Sequence, residues 1–79
     1  MLSIIYELDE QGIITKKAEY TVTAKQALIN YVMQFKNKNF NTWQYPDTLQ
    51  GMRESPTVKD HWYYDYKNIV IASYPVNKN

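Results

Sequence analysis

The first 22 residues alternate apolar and polar side chains on either side of a short polar segment, which predicts a β-hairpin. A three-residue loop over residues 10–12 pairs Leu8 with Ile14 and Ile4 with Ala18. The glycine that ends this loop is expected in the left-handed region, where such loops form a bulge. In this register one face of the hairpin is apolar apart from a single lysine. That face holds Leu2, Ile4, Tyr6, Leu8, Ile14, Lys16, Ala18, Tyr20 and Val22.

A helical pattern follows directly. Thr23 is a good N-cap, and Gln26 three residues later completes a capping box. Apolar side chains then recur at three- and four-residue spacing, which predicts an amphipathic helix from residue 24 to about residue 36 or 37. Ile29 and Met33 either widen its apolar face or form a second one. The main stripe consists of Ala24, Ala27, Leu28, Tyr31, Val32 and Phe35.

Residues 40–58 show no sustained periodicity and predict a structured loop with one short helix. Asp47 is placed to cap that helix, which would run over residues 48–52 despite a glycine at position 51. Ser55 and Pro56 are expected to end it, because the residue before a proline disfavours the helical conformation.

A second hairpin is predicted from two runs of aromatic and β-branched residues, His61–Tyr66 and Ile69–Tyr74, joined by a two-residue loop. Pro75 is expected to end the strand, with residues 76–79 as a frayed tail. The loop pairs strands so that one face holds Trp62, Tyr64, Tyr66, Ile69, Ile71 and Ser73. The other face holds His61, Tyr63, Asp65, Val70, Ala72 and Tyr74.

The predicted order of elements is two strands, a helix, a loop with a short helix, and two more strands. This order predicts an α+β two-layer sandwich in which one amphipathic helix crosses one face of a four-stranded antiparallel sheet. The 79 residues are expected to form a single small domain. The predicted core consists of Ile4, Tyr6, Leu8, Ile14, Ala18, Leu28, Tyr31, Val32, Phe35 and Ile71.

The composition of the chain excludes several classes of function. The formal net charge is +1, so neither a strongly basic nucleic-acid arm nor an acidic tail is present. The absence of cysteine excludes disulfides and thiolate metal sites and favours a cytoplasmic location. No apolar run is long enough for a membrane span, and the N-terminal residues lack the pattern of a signal peptide.

Catalytic motifs are missing from the sequence. The only histidine, His61, lies near Asp60 and Asp65, but His61 and Asp65 are separated by about 13 Å along a strand. No serine lies in a nucleophile motif, and two glycines cannot form a phosphate-binding loop. We therefore expect a protein that is not an enzyme, with no catalytic residues, no metal site and no cofactor.

Aromatic residues make up 15% of the chain and include eight tyrosines, which favours a protein-binding surface. The candidate partner-binding residues are Tyr63, Tyr74 and Trp43, because one helix cannot cover both aromatic faces of the second hairpin. An exposed edge strand offers a second route, pairing with another chain or forming a homodimer. The alternative is that Phe40, Trp43 and Leu49 fold over the second face and complete the core.

Single-stranded nucleic acid is the competing partner class. Residues 20–46 contain three lysines and no acidic residue, among asparagines, glutamines and aromatic residues. Lysines could contact phosphates while aromatic rings stack on bases. The candidate residues are Lys25, Lys36, Lys38, Phe40 and Trp43.

The segment Tyr20-Thr21-Val22-Thr23-Ala24-Lys25-Gln26-Ala27 and the bias toward Lys, Asn, Ile and Tyr carry a resemblance. In both respects the chain resembles small uncharacterised proteins of low-GC Gram-positive bacteria and their phages. The resemblance covers about a third of the chain and implies no catalytic residues. It implies a stand-alone accessory or interaction role rather than a metabolic one.

Overall fold

One helix packs against one face of a five-stranded antiparallel sheet in the computed structural model, which describes residues 1–36 and 48–76. The strand order across the sheet is β2-β1-β5-β4-β3, so the two hairpins meet where β1 pairs with β5. The α+β class is as predicted, but the sheet has five strands rather than four. The elements are β1 (Leu2–Leu8), β2 (Ile14–Tyr20), α1 (Ala24–Lys36), β3 (Arg53–Glu54), β4 (Trp62–Tyr66) and β5 (Ile69–Val76).

The turn of the first hairpin has the predicted geometry. The Gly12 amide donates to the Asp9 carbonyl and the Asp9 amide donates to the Ile13 carbonyl, both at 3.0 Å. Gly12 has φ +80°, the left-handed conformation that glycine adopts without a steric penalty. Leu8 faces Ile14 directly after the turn, which confirms the predicted pairing at this point.

Beyond the turn the predicted register is wrong by one residue. A β-bulge interrupts the β1–β2 pairing between Glu7 and Leu8, leaving Thr15 as the extra residue on β2. Its hydroxyl donates to the Glu7 carbonyl at 3.3 Å. Past the bulge, Ala18 therefore pairs with Ile5. The predicted hairpin, which had no bulge, paired Ala18 with Ile4.

Beyond the bulge the β2 side chains change faces relative to β1, because a one-residue shift moves side chains to the opposite face, and Ala18 and Tyr20 share a face with Ile5 and Ser3. Ile5 lies under α1 with 1% of its surface exposed, whereas Ile4, Tyr6 and Leu8 lie on the other side of the sheet. These three residues are thus not part of the helix-side core, contrary to the prediction.

The core between α1 and the sheet is a cluster of buried side chains. Leu28, Val32 and Ile71 belong to it, as predicted, while Ala18 and Tyr31 are partly buried and pack against it. Ile14 and Phe35 were also predicted core residues, but they are exposed at 53% and 39%. The full cluster is Ile5, Ala27, Leu28, Val32, Tyr64 and Ile71.

Three buried polar side chains on the helix side of the sheet bind α1 or the segment leading into it. The Ser3 hydroxyl donates to the Val22 carbonyl at 2.8 Å, and the Ser73 hydroxyl donates to the Ala24 carbonyl at 2.7 Å. Glu7, 4% exposed, accepts a hydrogen bond from the Tyr31 hydroxyl. Each buried polar group therefore has the partner that burial requires.

The helix starts where the sequence predicts. The Thr23 hydroxyl accepts a hydrogen bond from the Gln26 amide at 3.2 Å, the expected N-cap contact. The Gln26 side chain donates to Asn30 at 2.8 Å, so it is engaged along the helix rather than in the reciprocal half of a capping box.

The second hairpin has the predicted register, with Tyr66 opposite Ile69 and Trp62 opposite Ser73. Its second strand, however, continues through Pro75 to Val76 instead of ending. Pairing between β4 and β5 stops at Ser73. Pro75 has no amide hydrogen, but it lies beyond this pairing and therefore interrupts no hydrogen bond between the two strands.

The described part of the connecting loop forms a turn rather than the predicted short helix. The Met52 amide donates to the Leu49 carbonyl at 3.2 Å, and Gly51 has φ +92°. Leu49 and Met52 pack against the core cluster on the helix side of the sheet. The predicted cap Asp47 and the frayed tail from residue 77 onward lie outside the described residues.

Ile4 and Ile5 offer a matched test of which face is buried. Ile5→Ala is expected to lower the free energy of unfolding by about 2–5 kcal/mol, because it leaves a cavity in the core. Ile4→Ala should cost about 1–2 kcal/mol less, since Ile4 lies on the opposite, partly exposed face. Urea unfolding of both variants measures the difference, and an equal or reversed order would contradict the bulged register.

Gly12→Ala tests the turn. Beyond the two neighbouring residues in the chain, no atom lies within 4 Å of the added β-carbon, so the effect is conformational rather than steric crowding. We expect a loss of about 1–2 kcal/mol in the free energy of unfolding, because a non-glycine residue is disfavoured at this φ. Thermal unfolding measures it, with Gln11→Ala in the same loop as the control. Equal melting temperatures for the two variants would exclude the left-handed conformation at Gly12.

Candidate functional site

The sheet face opposite α1, here called the open face, carries a row of side chains that crosses all five strands. Paired residues share a face, and the strand pairings place a cation at each end, a tyrosine next to each cation and an alanine in the centre. This central row is Lys17, Tyr6, Ala72, Tyr63 and Arg53 on β2, β1, β5, β4 and β3.

Tyr74 links the two tyrosines of the central row into one cluster. Its ring centroid lies 5.7 Å from that of Tyr6 and 6.1 Å from that of Tyr63, with interplanar angles of 51° and 76°. The His61 ring lies 4.2 Å from the Tyr74 ring. Ala72 has no exposed surface although it lies on the open face. The tyrosine cluster of Tyr6, Tyr63 and Tyr74 is thus continuous over the centre of the sheet.

Cations stack on the outer rings of the cluster. Lys17 Nζ lies 5.8 Å from the centroid of the Tyr6 ring, and Arg53 Cζ lies 5.5 Å from that of Tyr63. Arg53 also forms a 2.9 Å ion pair with Asp65, and both side chains are more than half exposed. Glu19, opposite Ile4, also lies on the open face, so the two cations there, Lys17 and Arg53, are matched by the carboxylates of Glu19 and Asp65.

The phenol of Tyr74 is perturbed by its neighbours. Burial, a hydrogen bond with Tyr63 and the adjacent phenols of Tyr63 and Tyr6 raise the pKa of Tyr74 to about 12. The Tyr74 hydroxyl is therefore a neutral hydrogen-bonding group at physiological pH.

The structure brings together two of the three residues predicted to bind a partner. Tyr63 and Tyr74 lie side by side on the open face, while Trp43 lies outside the described residues. Sequence reasoning missed Tyr6, because the uninterrupted hairpin register assigned it to the core. Lys17 and Arg53 were missed because only the strand order places them in one row.

The residues predicted to bind nucleic acid do not form one patch in the described part of the chain. Lys25 lies in the first turn of α1, with its Nζ 5.4 Å from the Trp62 ring on the helix side of the sheet. Lys36 ends the helix, roughly 16 Å further along at about 1.5 Å per residue. Lys38, Phe40 and Trp43 lie outside the described residues.

Asp60, His61 and Asp65 each contact a different residue and do not form a common site. The Asp60 amide donates to the Glu54 carboxylate, His61 stacks on Tyr74, and Asp65 binds Arg53. Within residues 1–36 and 48–76, no three metal-ligating side chains cluster around a common point. The helix of this part of the chain is too short and too polar to cross a membrane.

No protein-family model, no curated protein and no solved structure matches this chain. Function is therefore inferred from the geometry of the open face.

The raised pKa of Tyr74 predicts a stability change at alkaline pH. The neutral phenol is favoured in the folded state, so its contribution is complete below about pH 10 and is lost as the pH rises toward about 12. Tyr74→Phe should therefore lose less stability than the wild-type protein over this range. Urea unfolding at several pH values measures it. Parallel pH profiles for the two proteins would mean that the Tyr74 pKa is not raised.

Proposed function

We propose that this protein is a non-enzymatic protein-binding module whose open face docks a partner protein. The observation that carries the proposal is the tyrosine cluster on the sheet face opposite the only helix in the described residues. The described loop residues Leu49 and Met52 pack on the helix side, so they do not cover this cluster. No cofactor or metal enters the proposal, and the cytoplasm is its proposed setting because the chain lacks cysteine.

Tyrosine suits this role for physical reasons. Its ring buries a large apolar area, its hydroxyl still hydrogen bonds, and only two side-chain torsions must be fixed. Here the cluster is also flanked by cations that keep the surface hydrated while it is unoccupied. Such a surface can exist in water and still bind a protein partner.

The edge of the sheet is a less favourable docking site than its face. β2 is an outer strand, so its backbone could pair with another chain or with a second copy of this one. The bulge at Thr15 and the adjacent Lys16 and Lys17 are, however, features that discourage edge pairing in natural sheets. We therefore assign the partner to the open face rather than to a homodimer through β2.

Nucleic acid has less support from the described residues. Lys25 and Lys36 lie at opposite ends of α1, and Lys25 is stacked on Trp62. The charges of the open face balance, whereas single-strand binders present a net positive groove. Binding of nucleic acid would appear in the capture experiment as a signal that nuclease treatment removes.

The test is capture of a partner by the immobilised protein from a lysate of the cells that encode it. Tyr63→Ala should reduce capture of a specific protein at least about fivefold, because aromatic side chains at interface centres contribute more than about 1 kcal/mol. Ile13→Ser is the matched control, since Ile13 is an exposed apolar residue in the loop after β1.

Circular dichroism should show that both variants remain folded. Equal capture by the wild-type protein and Tyr63→Ala would exclude the open face as the docking site. Capture that nuclease treatment abolishes would replace the protein partner with nucleic acid.

A further inference from the structure

We propose that this protein has a separate small-molecule site, a cavity on the helix side of the sheet that binds a zwitterion with an apolar body, such as a free aliphatic amino acid. The cavity lies where α1 begins, and its lining includes Ala24, Lys25, Asp60, Trp62 and Pro75. The sheet separates it from the open face. The inference therefore goes beyond the proposed function and does not depend on it.

The walls of the cavity are fixed by hydrogen bonds of two buried serines. Trp62 pairs with Ser73 on β5, and Pro75 pairs with Ser3 on β1. The hydroxyls of these serines donate at 2.7 Å and 2.8 Å to carbonyls at the start of α1 and just before it. The helix and the strands that line the cavity thus keep a fixed spacing before any ligand arrives, as is usual for small-molecule sites.

The volume of the cavity selects a small ligand. It measures about 260 Å³, which is below the range of roughly 300–1,000 Å³ that is typical of sites for drug-sized molecules. At about 30 Å³ for each water molecule of the liquid, this volume corresponds to about nine waters. A ligand with about nine non-hydrogen atoms, such as leucine, therefore fits.

Two residues of opposite charge line the cavity without an ion-pair partner among the described residues. Lys25 Nζ lies 5.4 Å from the centroid of the Trp62 ring and forms no ion pair. The Asp60 carboxylate forms no ion pair and accepts no hydrogen bond from that part of the chain. Because the two side chains do not neutralise each other, a ligand with a carboxylate for Lys25 and an ammonium for Asp60 would satisfy both.

The backbone holds Asp60 in an uncommon conformation beside the cavity. Its φ of 66° lies in the left-handed region, which aspartate tolerates better than most residues do. The Asp60 amide donates to the Glu54 carboxylate at 2.8 Å, and the Ser55 amide donates to the His61 carbonyl at 2.8 Å. These bonds fix the point from which the Asp60 side chain extends. Residues held in this way are frequent at ligand sites.

Apolar lining favours a ligand with a hydrocarbon part over a simple ion. The Trp62 ring packs against the core cluster, and Ala24 is 3% exposed. Pro75 adds a third apolar side chain. An aliphatic body against these residues would remove apolar surface from water, which a small inorganic ion cannot do.

The test is an NMR titration of the ¹⁵N-labelled full-length protein, followed at the indole signal of Trp62, which is assigned by its absence from Trp62→Phe. Leucine should shift this signal with a dissociation constant of about 1 mM, within reach of a ligand of this size. Leucinamide lacks the carboxylate and N-acetyl-leucine lacks the ammonium, so each should bind about two- to fivefold more weakly. Glycine has both charges but no apolar body and should bind at least about fivefold more weakly.

Two variants separate the charges. Lys25→Met keeps an aliphatic chain over Trp62 and should weaken leucine binding about two- to fivefold without weakening that of leucinamide. Asp60→Asn tolerates the same φ and should weaken leucine binding without weakening that of N-acetyl-leucine. Lys67→Met is the matched control, because Lys67 stacks on the Tyr66 ring at 5.5 Å in the turn between β4 and β5, away from the cavity.

Tyr63→Ala should bind leucine as the wild-type protein does, because Tyr63 lies on the open face. The inference is overturned if the Trp62 signal does not move at about 10 mM leucine, or if leucine and its two derivatives bind equally. Unchanged leucine binding in both Lys25→Met and Asp60→Asn would overturn it as well. Capture of a protein partner through Tyr63 would be unaffected by any of these results.

Discussion

Three buried polar side chains determine which face of the sheet the helix covers. Ser3 and Glu7 on β1 and Ser73 on β5 hydrogen bond to Val22, Tyr31 and Ala24, in the helix or the segment before it. Each such bond contributes only about 1 kcal/mol, but a buried polar group left without its partner costs about 1–3 kcal/mol. With the helix on the other face, all three would lose these partners. Polar contacts therefore fix an arrangement that apolar packing alone would leave ambiguous.

The ambiguity exists because both faces of the central strands carry apolar side chains. β1 alternates Ile5 under the helix with Ile4 and Tyr6 on the open face, and β5 alternates Ile71 with Ala72 in the same way. A single helix of 13 residues packs on one of these faces. Among the described residues, the other face carries aromatic side chains whose hydroxyls tolerate water, which is the origin of the candidate site.

The parts of this fold that were predictable from sequence are those set by local chemistry. Gly12 in the left-handed turn and Thr23 at the helix start act within a few residues of themselves. The bulge at Thr15 was not predictable, because no local residue preference requires it and only the register between β1 and β2 shows it. The candidate site follows the same division: alternation in the second hairpin placed Tyr63 correctly, while Tyr6 was assigned to the core because the predicted register contained no bulge.

The arrangement of the open face also bears on the free energy of binding. Ala72 is fully covered on a face that no helix of the described residues covers, with Tyr74 beside both Tyr6 and Tyr63 around it. These rings hold one another in place before any partner arrives, since each contacts another ring at its ordinary packing distance. A partner would then lose its own conformational freedom on binding but would not have to order this surface.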